Sequence, residues 1–271
     1  VEQVFVGNGS DEVLTLCARA FVEPSGTIGY FEPSYSLYPV LAAIQDVKTK
    51  PVRLEKDFSW TMPKGYSASL FFLATPNAPT SVQYSGKVVR DFCKYFRGVV
   101  LIDEAYADFA QENNMQLALT RKNVLVARTF SKSFSLAGLR LGYMIGSKEL
   151  ISAIYKIKDS YNLNRLTQRV ALAAIHDIGH MRMNAARIKA TREMTLWHLI
   201  DRGFTVSPSE TNFLWAKPPR IPAATVFRKL RERKILVRYF PGKLTGDYLR
   251  ISVGTNREMT ALLEALDTIL R

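Results

Sequence analysis

TFSKSFSLAGLRLG, residues 129 to 142, follows directly on an apolar β-type run, Val124-Leu-Val-Ala127, and holds one lysine, Lys132, between Ser131 and Ser133. Phe134 comes next but one, so the amine is not on an obviously solvated face. Eight residues after Lys132, Arg140 sits between leucines in Gly138-Leu-Arg-Leu-Gly142, where small residues let backbones approach closely. A lysine amine that is desolvated, or placed near other cations, becomes a usable nucleophile, which is the condition for Schiff-base chemistry with a carbonyl. Taken alone, a surface lysine and a structural arginine explain the same residues, so the rest of the chain decides.

Outward from this stretch the chain alternates strands and helices. Val4-Phe-Val6 reads as a short buried strand, followed by Gly7-Asn-Gly-Ser-Asp-Glu12 and a helix over about 13–21, with Ser10 and Asp11 as capping residues after Gly9. Free N–H groups at such a helix start form an anion site. Thr27–Phe31 is the next strand; Pro33 breaks it and sets Tyr35 at its carboxyl end, where an aromatic ring can stack on a planar ligand. After a strand over 47–54, Ser69-Leu-Phe-Phe-Leu-Ala74 is continuously apolar, the mark of a strand buried on both faces of a parallel sheet. It stops at Thr75-Pro-Asn-Ala-Pro-Thr80, whose Asn77 has a side chain able to donate to a ligand oxygen. A helix over 86–96 leads to another buried strand, Gly98–Ile102, ending in Asp103-Glu-Ala-Tyr-Ala-Asp108. A carboxylate at the end of an apolar strand is costly to bury without a cationic partner, so Asp103 asks for one.

Beyond the strand at Tyr143–Ile145 the pattern turns helical, over 150–157, 166–175 and 181–202, and then gives strands at 212–216, 235–238 and 248–253 with helices at 223–233 and 257–270. The expected division is a larger α/β unit, 1–178, with a mostly parallel sheet, and a smaller α+β unit, 179–271. Arg238 and Arg250 stand near strand termini among apolar neighbours, positions from which a guanidinium grips a carboxylate or phosphate. In open parallel sheets ligands bind outside the carboxyl ends of the strands. Gly9, Ser10, Asp11, Tyr35, Asn77, Asp103, Tyr106, Ser131, Lys132 and Arg140 are thus expected in one crevice.

Composition narrows the classes. Lys and Arg number 37 against 24 Asp and Glu, giving +13. The basic residues are scattered and no nucleic-acid signature accompanies them, so a nucleic-acid-binding role is only a remote alternative. Cys17 and Cys93 are the sole cysteines, which argues against a disulfide framework or a cysteine metal site and fits a reducing cytoplasm. No metal site is expected. No apolar run approaches the roughly 20 residues that span a bilayer.

Together GNGSDE (7–12), PSYSLY (33–38), PNAPT (76–80), DEAY (103–106), TFSKSFSLAGLRLG (129–142) and LRISVGT (249–255) resemble the pyridoxal-phosphate-dependent aminotransferases of fold type I and, among these, the histidinol-phosphate branch. The resemblance covers essentially the whole chain. It implies that pyridoxal 5'-phosphate is held by Lys132 through a Schiff base, that Asp103 pairs with the ring nitrogen, that Tyr106 and Asn77 bond the ring oxygen, and that Tyr35 lies on the ring face. It implies a phosphate held by Ser10, Ser131, Arg140 and the N–H groups around Gly9, with Arg250 and Arg238 binding the substrate anion. The reaction implied is exchange between L-histidinol phosphate and 2-oxoglutarate in a cytoplasmic homodimer of histidine biosynthesis. Threonine-phosphate decarboxylase and other amino-acid aminotransferases are the alternatives within the fold. Two departures stand out: the family's N-terminal arm is expected to be missing, since Val1 opens directly into a strand, and the usual NPTG turn reads Ala78-Pro-Thr-Ser81.

Overall fold

Each residue of Leu70–Ala74 is buried, and the five divide by parity: Leu70, Phe72 and Ala74 enter one apolar core, Phe71 and Leu73 the other. Alternate side chains of a strand point to opposite faces, so a run apolar at every position belongs in the middle of a covered sheet. The computed structural model describes residues 2–271; Val1, where the larger predicted unit begins, lies outside them. Its first sheet contains β1 (Val4–Asn8), β2 (Thr27–Glu32), β3 (Lys48–Arg53), β4 (Leu70–Ala74), β5 (Val99–Asp103), β6 (Val124–Thr129) and β7 (Leu141–Gly146) in the order β1-β7-β6-β5-β4-β2-β3. Strands β3, β2, β4, β5 and β6 pair in parallel, and β7 is antiparallel to both β6 and β1.

The helices are α1 (Ser10–Phe21), α2 (Leu37–Ile44), α3 (Gly86–Tyr95), α4 (Met115–Thr120), α5 (Lys148–Ile157), α6 (Arg165–His176), α7 (Ile178–Asp201), α8 (Ala223–Glu232) and α9 (Asn256–Leu270). Helices α1, α2 and α5 supply the core on one face of the sheet, α3 and α4 that on the other. A second, antiparallel sheet has the order β10 (Arg238–Tyr239), β11 (Leu249–Ser252), β9 (Phe213–Lys217), β8 (Thr205–Val206) and shares a third core with α7, α8 and α9. Helix α7 begins where the Asp177 carboxylate accepts from His180 N at 3.4 Å and ends at Gly203, whose φ of +81° closes the helix.

Three expectations are corrected. Strand β1 is not buried throughout: it lies at the sheet edge, with Phe5 and Gly7 inward and Val6 exposed. Residues 235–237 are not strand, because Lys234 takes a φ of +61° and Ile235 N donates to Leu230 O at 3.0 Å, so the backbone there closes α8 before β10 begins. Ser10 and Asp11 do not cap α1. They are its first two residues, and the cap is Gly9, which offers no side chain to the free N–H groups.

Candidate active site

Strands β1, β2, β4, β5 and β6 all run the same way, so their carboxyl ends, together with the start of the reversed β7, meet at one end of the sheet. A cavity of about 280 Å3 opens there, lined by Ser10 and Asp11 after β1, Tyr35 after β2, Asp103 and Tyr106 at β5, Ser131 and Lys132 after β6, and Arg140 before β7. Arg250 reaches the same cavity from β11 of the second sheet. Eight of the predicted residues are thus brought together by the direction of the first sheet's strands, and Arg250 joins them from the second sheet.

Close approach at the β1 and β7 ends rests on two glycines. A Cβ at Gly142 would overlap the backbone N of Ser10, and one at Gly9, whose φ is +83°, would overlap the Arg140 guanidinium. Arg140 itself stands in the left-handed region at φ +53°. Its Nη2 donates to Asp11 Oδ2 at 3.0 Å, while Tyr35 donates its hydroxyl to Asp11 Oδ1 at 3.2 Å. Uncapped helical N–H groups and a guanidinium at the mouth make this end of the cavity a place for an anion. Burial, and then the Asp11 carboxylate, push the Tyr35 phenol up to about 12.

At the floor, Asp103 is 6% exposed. Its Oδ2 accepts from the Tyr38 hydroxyl at 2.9 Å and its Oδ1 from Ala105 N at 3.2 Å. Burial raises its pKa to about 6 against the lowering effect of those two hydrogen bonds. Lys132 Nζ lies 5.5 Å from the centre of the Tyr106 ring. Desolvation first, then the Arg250 guanidinium, hold the Lys132 amine below the usual lysine value, with Asp103 and Asp11 opposing. The loop carrying Lys132 is fastened from behind. Ser133 donates its hydroxyl to Asp108, and Arg128 joins Asp108 at 3.7 Å to Glu104, which it grips at 3.0 and 2.8 Å.

Arg250 is framed by two rings, 5.1 Å from Phe213 and 5.4 Å from Phe240, and its Nε is buried with no hydrogen-bond partner among the described residues. Arg238, paired in register with Arg250, lies 5.3 Å over the same Phe240 ring. No ion pair to a carboxylate is found for either arginine among the described residues. Two adjacent guanidiniums without a counterion suit a doubly charged anion.

Three predicted residues stand outside the cavity wall. Arg238 lines the adjoining cleft, which shares Tyr35 and Arg250 with the first. Gly9 contributes backbone beneath Arg140. Asn77 is 1% exposed, and its amide is fully engaged: the two N–H groups donate to Pro33 O at 3.0 Å and Thr80 Oγ1 at 2.9 Å, while its oxygen accepts from Ser34 at 2.8 Å. Its neighbours Pro76 and Ala78 face the cavity instead. The Asn77 amide thus pins the turn between two prolines, with its neighbours on the cavity wall. Conversely, Tyr38, Phe213 and Phe240 were not singled out in the sequence.

Residues 1–266 match the family model for aminotransferases of class I and II. The chain is 42% identical, over 98% of its length and 77% of the relative's, to a histidinol-phosphate aminotransferase of Geotalea daltonii. It is 43% identical, over 98% and 77%, to a histidinol-phosphate aminotransferase of Syntrophotalea carbinolica. Among solved structures it superposes with a TM-score of 0.90 on a histidinol-phosphate aminotransferase of Sinorhizobium meliloti in complex with pyridoxal-5'-phosphate, at 23% identity over 100% of this chain and 77% of that one, a likeness of fold.

Proposed function

The chain belongs to the class I and II aminotransferases, and from that premise we propose that it transfers the amino group of L-histidinol phosphate to 2-oxoglutarate with pyridoxal 5'-phosphate as cofactor. The observation that carries this reading is the convergence of Lys132, Asp103 and Arg250 on one cavity. The donor set fits the cofactor and its substrate: an amine held below its ordinary pKa, a buried carboxylate for a ring nitrogen, an uncapped helix start beside Arg140 for a phosphate, and, for a further anion, the Arg250 guanidinium, whose buried Nε has no partner among the described residues.

Pyridoxal phosphate, when bound, supplies an aldehyde and a ring that draws electrons from the substrate α-carbon. Asp103 would favour a proton on the ring nitrogen, because a carboxylate buried at a strand end favours a cation beside it. The Lys132 amine would take the proton from the substrate α-carbon onto its Nζ and later give it up, and its lowered pKa keeps more of it neutral and able to do so. Ser10, Ser131, Arg140 and the first N–H groups of α1 bind the cofactor phosphate. Tyr35 and Tyr106 orient the ring. Arg250 and Arg238 bind the substrate phosphate in one half-reaction and the 2-oxo acid's carboxylate in the other, and the Phe213 and Phe240 rings shield the Arg250 guanidinium from water.

A homodimer belongs to the same reading, as does a cytoplasmic location. No helix among the described residues is long and apolar enough to cross a membrane. The test is 2-oxoglutarate-dependent consumption of L-histidinol phosphate, run beside carbon dioxide release from threonine phosphate. Glutamate formation with the first supports the proposal, and decarboxylation without glutamate overturns it.

A further inference from the structure

Tyr38 belongs to none of the roles above, yet its hydroxyl is aimed at the most deeply placed carboxylate of the site. The side chain is 0% exposed on α2, its ring is stacked on Phe72 with centroids 4.8 Å apart and planes at 14°, and Tyr35 meets it edge-on at 5.7 Å. A phenylalanine would satisfy every one of those apolar contacts. What the hydroxyl adds is one hydrogen bond, to Asp103 Oδ2 at 2.9 Å, and it has no other partner among the described residues. A buried hydroxyl is kept where it meets an acceptor, and a bond to an ionised acceptor is stronger than one to a neutral group.

We propose that Tyr38 is a positioning residue that orients the Asp103 carboxylate and holds it ionised, so that Asp103 can keep a cationic ring nitrogen. Asp103 has two opposing needs. It must be buried to face a ring, and burial drives it toward the neutral acid, a form that no longer favours the ring-nitrogen proton. The Tyr38 hydroxyl and the Ala105 N–H, one on each oxygen, counter that drive. Tyr38 is the larger of the two lowering influences, ahead of Ala105 N, while the Lys132 cation lowers and the Asp11 anion raises. The remaining titratable neighbours are Tyr35 and Tyr106; burial raises both phenols, so they stay neutral beside Asp103.

The inference rests on the reading of Asp103 given above, and two measurements separate its failure from the failure of that reading. In the first, Tyr38→Phe and the unaltered chain, free of cofactor and carrying 13C-labelled aspartate, are titrated by isotope-edited infrared spectroscopy, with Asp103→Asn identifying the band. The Asp103 midpoint should move upward by about one unit, the amount expected when a hydrogen bond to a charged group is removed. In the second, both chains loaded with pyridoxal phosphate are assayed from about pH 5 to about pH 9, and the acid limb of kcat/KM should move upward with it. An unshifted Asp103 midpoint overturns the proposal whatever the activity. A shifted midpoint with an unmoved acid limb overturns instead the role of Asp103 as ring partner. Should Tyr38→Phe fail to fold, the unaltered chain still decides: the Tyr38 hydroxyl proton must resist exchange and follow the Asp103 titration in its NMR shift, and a freely exchanging proton overturns the assignment.

Discussion

Lys132 was legible in the sequence because the chemistry and the context sit together in one stretch: an apolar strand, a lysine, and an arginine between leucines. Lys132→Ala should therefore keep the fold, being a trimming of a partly exposed side chain, and lose about three orders of magnitude in turnover, the scale of a removed acid-base group. Turnover within a few-fold of the unaltered protein would end the aminotransferase reading. Asp103 was legible as a residue in want of a partner, but Tyr38 was not, because a hydroxyl 65 positions away in sequence meets it only after α2 packs on β2 and β3 and the Tyr38 ring stacks on Phe72 of β4. Burial raises Asp103 to about 6 from an ordinary 3.8. A carboxyl whose folded pKa is raised favours folding below its unfolded value, and that advantage is lost as pH climbs through about 6. Asp103→Asn should then stabilise the cofactor-free chain at pH 8, by up to about 3 kcal/mol on the two-unit shift, with the gain fading below about pH 4. Thermal melts at the two pH values measure it, and a pH-independent difference would mean the carboxylate is not strained by burial. Asn77 shows the opposite limit, since a turn asparagine looks the same in sequence whether its amide faces a ligand or its own loop.

At the level of elements, the wholly apolar runs of β4, β5 and β6 announced a covered parallel sheet, and the glycines and prolines placed the loops between them. The direction of β7 was less readable, because a strand carries no mark of which neighbour it will join or which way it will run. That reversal matters: it turns Arg140 back to the end of the sheet where Lys132 lies, and it lays Gly142 beside Gly7 of β1 and under the first residue of α1. Gly142→Ala should push the start of α1 away from β7, since the added methyl meets the Ser10 backbone rather than a side chain that can rotate. We expect a loss of about 1–3 kcal/mol by urea unfolding, the usual cost of overpacking. Because the free N–H groups move with the helix start, pyridoxal phosphate should also bind more weakly while pyridoxal, lacking the phosphate, is little affected. Equal weakening of both ligands would show that α1 does not serve the phosphate.

For the whole molecule the question is how a site split between two sheets stays in register, since Lys132 follows β6 of the first and Arg250 is carried by β11 of the second. Composition and periodicity revealed both sheets but not their joint, because the joint is made by residues remote in sequence: Trp215 of β9 enters the core of the first sheet, Phe213 meets Tyr106 edge-on, Glu210 N donates to Ser81 O at 3.0 Å, and one buried arginine ties the loops together. Arg192, on α7 and 7% exposed, donates from Nη1 to Phe109 O at 3.3 Å, just past the Asp103–Asp108 loop, and to Thr211 O at 2.7 Å, just before β9. Strand β9 pairs with β11 and sets Trp215 opposite Arg250, so Arg192 is one of the contacts that set the distance between the Lys132 amine and the Arg250 guanidinium. Replacing it by leucine leaves two carbonyls without that donor and should cost about 2–4 kcal/mol in stability. More telling is the kinetics well below the unfolding midpoint, where the protein is still folded. A grip that drifts by about an ångström weakens productive binding on the order of ten- to a hundred-fold, so KM for the phosphorylated donor should rise while cofactor binding at Lys132 is retained. Arg192→Leu with an unchanged KM at a temperature where it is fully folded would show that α7 merely supports the fold, and that the two sheets keep their register by other contacts.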